Sequence, residues 1–360
     1  MKRIEWVDHL KAMGIFLVVY GHSPPSVSGV EKWIYSFHMP LFFLISGYLL
    51  KRPTDLRGIA DGILQQVKSL APPYLIHALF GFAFWYVIGR KFGADRLQDS
   101  SPLWTFLTIP YGTGTPEGIH LQPIVLWFFP CLFLCQAYLL SVSLLRDRIV
   151  WLLSILLATV GFLLPTTLAL PFELETALVT QLFVTIGYMA KKNQWMERVS
   201  SCGVLLPSVL ILLGSGLAAM NERVDVRNSH FGNPFLFLAA ALSICFGLAL
   251  LASKEPPHWI SKYLSDNAIL IFPLHVTVFS FFAAFYVYVL RLDLSVRQNP
   301  IVELTASVVN CALIAFVAAP ICRKWFPWVY GLKPQKPVPN LVPQPAPVMG
   351  MSQVHPAEAA

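Results

Sequence analysis

Ten apolar runs, each about long enough to cross a bilayer, follow one another between residues 5 and 322. This succession restricts the fold more than any other feature. In hydrocarbon every backbone N–H and C=O must find a partner within the protein, and spans of this kind solve that as α-helices. About 20 residues of helix cross a core of about 30 Å. The runs lie at about 5–22, 31–50, 72–89, 124–145, 149–170, 174–190, 202–220, 234–253, 267–290 and 300–322. The expected fold class is all-α: a polytopic membrane protein of about ten transmembrane helices, with the lipid bilayer as its first partner. Charged residues make up 12% of the chain and hydrophobic ones 56%, a balance that excludes an ordinary soluble domain.

The net charge of +7 does not point to nucleic acid, because the basic residues fall in short clusters between apolar runs, as membrane orientation requires. With both termini cytoplasmic, about two thirds of the 26 Lys and Arg lie on the inner side. A cleavable signal peptide is not expected: the first run has an acid near its start and no small-residue cleavage site. Between the runs, residues 56–70 read as a semi-polar helix at the interface, and 90–122 and 221–233 as polar loops. Residues 1–330 form the transmembrane domain in this reading. The tail, 331–360, holds seven prolines and little aliphatic content and is expected to be disordered. The six cysteines sit in or beside apolar runs without CxxC or Cys/His spacing, so they read as small buried hydrophobes; no metal site is expected.

The first run carries Asp8 and Lys11 near its start and His22 at its end. From Lys11 to His22 a helix turns about 1100°, within roughly 20° of whole turns, so the two side chains share a face and stand about 16 Å apart along the axis. If Lys11 marks a membrane boundary, His22 lies near mid-membrane, where an ionisable group is a functional candidate. An imidazole there can take a proton from a hydroxyl. The bland alternative is a helix-capping His22 with a snorkelling Lys11. In the second run, Pro40 is expected to kink the helix and free a carbonyl near His38, a second intramembrane imidazole. Ser46 and Gly47 are small enough for close helix contact.

The Lys11…His22 spacing, followed by FHMPLFFLISGYL at residues 37–49, resembles the acyltransferase-3 family of integral-membrane acyltransferases, most of all its fucose O-acetylase-like group. Lys68 to Tyr74 (KSLAPPY) is similar to the family's lead-in to the third helix, Leu126-Trp127-Phe128-Phe129 to its LWFL element, and Ser265…Leu274-His275 to its late Ser…Leu-His element. The resemblance runs from about residue 3 to 325. It implies a ten-helix core that moves an acyl group, usually acetyl, from cytosolic acyl-CoA to a hydroxyl on a glycan or glycolipid. It marks His22 as the essential histidine and Lys11 as its basic partner. Gln65, Gln66 and Lys68 depart from the paired arginines common in the family, and His120 stands seven residues before Trp127 rather than next to it.

Residues and resemblance together give these expectations. His22 acts as general base on the acceptor hydroxyl, either for direct attack on the thioester or by way of an acyl-histidine. Asp8 and Lys11 tune the cavity or anchor the donor. The donor, acetyl-CoA or another acyl-CoA, is a substrate rather than a bound cofactor, with its phosphates against Lys51, Arg52, Arg57 and Lys68. Tyr74 and Trp127 stack on a sugar or on adenine, or anchor at the interface. His38, Ser46 and His275 line the cavity. Loop 90–122, with Asp95, Asp99, Glu117 and His120, covers an acceptor site, and Asp293 and Glu303 are further acids near the membrane. The expected location is the inner (plasma) membrane. Competing readings are a transporter or flippase for a glycan or lipid-linked substrate, and a sensor with a degenerate site.

Overall fold

The structure, a computed structural model, describes residues 3–23, 28–92, 101–112, 124–199 and 201–330. The expected tail 331–360 and the loop residues Asp95, Asp99, Glu117 and His120 lie outside the described residues. Among the described residues the regular structure is helical. The helices are α1 (Glu5–Gly21), α2 (Ser28–Tyr35), α3 (His38–Leu49), α4 (Leu56–Phe84), α5 (Arg90–Phe92), α6 (Pro102–Leu107), α7 (Phe128–Val142) and α8 (Asp147–Leu163). They continue with α9 (Leu174–Lys192), α10 (Trp195–Arg198), α11 (Leu205–Met220), α12 (Pro234–Ala252), α13 (Trp259–Ala284), α14 (Pro300–Leu313) and α15 (Ala319–Trp325).

Among the described residues, five helical stretches are long and apolar enough to cross a membrane: Leu56–Gly89, Val125–Val142, Pro234–Ala252, Trp259–Val289 and Pro300–Trp325. Helix α11 is apolar but shorter. The other expected spans are helices that are shorter, split or more polar. Helix α9 is the informative case. Thr176, Thr180, Gln181 and Thr185 lower its hydropathy, yet it is buried along nearly its whole length. Its polar groups face neighbours rather than lipid: Cys131 and Cys135 meet Thr180 Oγ1 at 3.4 and 3.3 Å, Ser154 Oγ meets Thr185 Oγ1 at 3.0 Å, and Gln181 Nε2 donates to Ser154 O at 2.7 Å. Small and hydroxylated side chains bind helices together where apolar surface gives no preference over lipid.

Two local expectations are corrected. The second apolar run is not one helix kinked at Pro40: it breaks before His38, at Ser36-Phe37, and Pro40 falls in the first turn of α3, where a missing N–H costs nothing. Residues 56–70 and 72–89 are not two elements. They form the single helix α4, which runs through Pro72 and Pro73 and ends in a π-helical turn, Trp85–Gly89. The two prolines leave the carbonyls of Lys68 and Ser69 without their helical donors.

Helix α1 lies along α13, α3 crosses α9, α7 and α8 flank α9, and α11 pairs with α12. The α3–α9 crossing depends on glycine. A Cβ on Gly47 would stand 1.9 Å from Val184 O, and one on Gly187 would stand 2.0 Å from Leu44 O. Helices α1 and α3 run in opposite directions, so the start of α3 lies beside the end of α1. This topology brings His22, Tyr35 and His38 together and leaves Lys11 beside the far end of α3.

Candidate functional site

Among the described residues, two cavities lie along α1, one at each end of its polar face. The first, about 440 Å³, is lined by Lys11, Ser46 and Lys51, by Gln65, Gln66 and Ser69 of α4, by Gln136 of α7, and by apolar side chains that include Phe128, Ile269 and Phe272. The second, about 150 Å³, is lined by His22, Tyr35, His38, Trp127, Arg227, Asn228 and Phe272, among others.

The imidazoles at the second cavity, and His275 behind them, are oriented by their own helices. A carbonyl oxygen has two lone pairs, and Val18 O, in the last turn of α1, accepts both the backbone N–H of His22 at 3.2 Å and its Nδ1 at 2.8 Å. A carbonyl can only accept, so Nδ1 carries the proton and Nε2 keeps the lone pair. His38 repeats the arrangement on Ile34 O at 2.8 Å, and His275 on Phe272 O at 2.6 Å. The ring of His275 is 4.9 Å from that of His22, nearly edge to face. His275 is fully buried, and its Nε2 has no hydrogen-bond partner among the described residues. Tyr35 stands between His22 and His38, with ring centres 6.3 and 4.9 Å away.

A folded loop roofs this cavity. Residues 221–233 are held at both ends by Asn221, whose Nδ2 donates to Phe231 O at 3.0 Å and whose Oδ1 accepts from Asn233 N at 2.8 Å. Gly232 has φ +61 there, and a Cβ on it would stand 2.5 Å from Asn221 Oδ1. Asp225 and His230 pair as an isolated antiparallel bridge. Thr176 of α9 reaches the loop through Ser229 Oγ at 3.2 Å. Arg223 donates to Glu31 at 2.6 Å and covers the Tyr35 ring at 4.4 Å. Burial opposes the Arg223 charge, and the hydrogen bond and field of Glu31 outweigh it, so its pKa stands above the ordinary value.

The structure brings His22, His38 and Trp127 together on the second cavity, and Lys11, Ser46 and Lys51 on the first. His275, expected to line the cavity, is instead fully buried against His22, because α13 packs along α1 there. It does not bring in the rest of the expected set. Arg52, Arg57 and Lys68 are exposed and do not line the first cavity. Where Lys68 was expected, Gln65, Gln66 and Ser69 face the cavity instead, because Lys68 projects from another side of α4. Tyr74 is also away from both cavities: its hydroxyl donates to Ile109 O at 2.6 Å, tying α4 to residues 109–111. Asp8 is occupied by Arg3, which also donates to Asp266 at 2.8 Å, and by Ser265 Oγ at 2.7 Å. It joins α1 to α13, far from His22. Asp293 accepts Ser295 N–H at 2.8 Å, which holds its carboxyl below the usual carboxylate range; it caps the turn Leu294–Gln298. Glu303 is buried in the first turn of α14.

Sequence reasoning missed Tyr35, Arg223, Arg227 and Asn228, which the roof loop and the α1–α3 pairing bring to His22, and Gln136 and Phe272 in the cavity walls. One signal was available for the loop: a charged stretch of a few residues between two very apolar runs. The expected carbonyl partner for His38 is present, supplied by the helix break rather than by a kink.

Residues 4–320 match a family model described as an acyltransferase domain. No curated protein and no solved structure matches the chain. The match spans both cavities and every helix from α1 to α14, and the apolar stretches suit a multi-pass membrane location. The chain belongs to the acyltransferase-3 family and is a membrane acyltransferase.

Proposed function

We propose that the protein transfers an acyl group, acetyl in the first instance, from acyl-CoA to a hydroxyl of a surface glycan or glycolipid, with His22 as general base. The observation that carries this is the His22 imidazole: Nδ1 is fixed on Val18 O, which leaves the basic Nε2 for a small polar cavity at the opposite end of α1 from a larger, basic-rimmed one. The larger cavity suits the donor. Lys51 at its rim and Lys11 deeper attract phosphate, and Ser46, Gln65, Gln66 and Gln136 offer hydrogen bonds to the amides of the pantetheine arm. Arg3 and Arg323, on Asp266 and Asn267 of α13, and Lys191, over the Tyr48 ring, lie at the same end, which supports a cytoplasmic orientation by the positive-inside rule. The His22 cavity then opens toward the outer face of the plasma membrane, where Trp127 offers a stacking face and Arg227 and Asn228 offer polar contacts for a sugar.

In the reaction the acceptor hydroxyl gives its proton to His22 Nε2 and its oxygen attacks the thioester carbon. The C–O bond forms, the C–S bond breaks, and CoA leaves as a thiolate that takes up a proton. His275, edge-on to His22, keeps that ring in place. The test is transfer of labelled acetyl from acetyl-CoA into the glycan fraction of native membranes. Replacement His22→Ala abolishes transfer in a protein that retains its melting temperature. Undiminished transfer by that variant sinks the assignment. Mass spectrometry of the glycans from cells with and without the protein identifies the acceptor by the added mass of one acetyl group.

A further inference from the structure

The two cavities meet at one side chain. Phe272 borders both of them. It is 6% exposed, and its ring lies 5.2 Å from Phe128 and 5.9 Å from Phe129. Phe128 in turn packs 5.2 Å from Phe43 and 6.2 Å from Phe42. The wall is thin when followed along α13. Ala268 and Ile269 face the Lys11 cavity, Phe272 faces both, and His275 lies against His22. Ala268 to His275 is roughly 10 Å of helix rise. Pro273 follows Phe272 directly and removes the N–H that would bond Ile269 O. The backbone carbonyl of Phe272 is engaged by His275 Nδ1, so the base of this side chain is tied to the histidine pair.

We propose that Phe272, backed by Phe128, is the partition that the donated acyl group must cross and the residue that limits its size. This rests on reading the Lys11 cavity as the donor site and the His22 cavity as the acceptor site. The reacting oxygen and carbon must come within about 3–3.5 Å. The acyl carbon therefore reaches the His22 side of the ring while the rest of CoA stays on the Lys11 side. Acetyl places only a methyl beyond that carbon. A longer chain must house each further methylene among Phe272, Phe128 and their aromatic neighbours, in an interior packed to the density of an organic crystal. One methylene too many in such a pocket is discriminated about 10- to 200-fold. The specificity for short acyl groups thus lies in α13 and α7, not in the histidines.

The experiment compares acetyl-, propionyl-, butyryl- and hexanoyl-CoA. Fragmented native membranes, open on both faces and retaining the natural acceptor, carry the wild-type chain, Phe272→Ala, Phe272→Leu or His22→Ala. CoA thiol release above the His22→Ala background is measured for each. The wild type prefers acetyl, and Phe272→Ala raises the butyryl-to-acetyl ratio about tenfold or more, with Phe272→Leu between the two. The leucine variant, which keeps the site apolar and filled, decides the matter if the alanine protein does not fold. A ratio unchanged in a folded variant overturns the assignment of Phe272 and leaves the donor–acceptor reading standing. Absence of release above background by the wild type with every acyl-CoA overturns the donor–acceptor reading, and the partition with it.

Discussion

Replacing Gly47 by alanine tests whether the α3–α9 crossing sets the geometry of the site. The added Cβ would stand 1.9 Å from Val184 O, against ordinary contact from 3.4 Å. The struck atom belongs to the backbone, so no side-chain rotation relieves it, and the two helices must part by about 1.5 Å. Overpacking of this kind costs about 1–3 kcal/mol, and a backbone collision belongs at the upper end. The functional cost is larger. Helix α3 begins with His38 in one cavity and carries Ser46 in the other, while α9 anchors the roof loop through Thr176. A misplacement of about 1 Å costs a reaction on the order of 100-fold. Gly47→Ala is therefore expected to lower acetyl transfer by about two orders of magnitude and to lower the melting temperature of the detergent-solubilised protein. Gly216→Ala is the control: its Cβ would meet nothing within 4 Å, and alanine favours a helix interior by up to about 1 kcal/mol. Wild-type activity and melting temperature in Gly47→Ala would refute the reasoning.

Two further outcomes concern the roof loop and the wall of the Lys11 cavity. Arg223→Ala removes the Glu31 pair and the guanidinium over Tyr35. Because the pair is half-exposed, the stability lost is at most about 1 kcal/mol, but the roof loosens: the acceptor KM rises while the acyl-CoA KM holds, a split read from steady-state kinetics. Gln136 Oε1 is buried without a partner among the described residues, and the residue lines the Lys11 cavity. Gln136→Leu removes that unsatisfied oxygen, so the unliganded protein melts no lower than the wild type. The acyl-CoA KM rises about five- to tenfold, the worth of one hydrogen bond of about 1–1.5 kcal/mol. An unchanged KM would remove Gln136 from the donor site.

Much of the molecule was legible because it depends on distance along one helix. The helical period alone places Lys11 and His22 on a shared face, about 16 Å apart, and the structure puts a cavity at each of them. Close contact at Gly47 follows from residue size, and the spans follow from the need to bond every backbone group in lipid. Lys68 and Tyr74 read less well. Both lie in a motif that resembles the family's, but which way they face depends on whether α4 continues through Pro72 and Pro73, and the packing against α7 decides that.

The sequence by itself determined an all-helical membrane chain with a histidine deep in its first span and a basic residue at that span's start. Only the tertiary structure decided what stands around that histidine. Tyr35 and His38 arrive from the next two helices, Asp225, Arg227 and Asn228 from a loop two hundred residues on, and His275 and Phe272 from α13. Periodicity fixes which side chains share a face of one helix. It carries no information about which faces meet, because that depends on close contacts between segments far apart in the chain, such as Gly47 on Val184. The partition at Phe272 exists only once α1, α3, α7 and α13 have closed on one another.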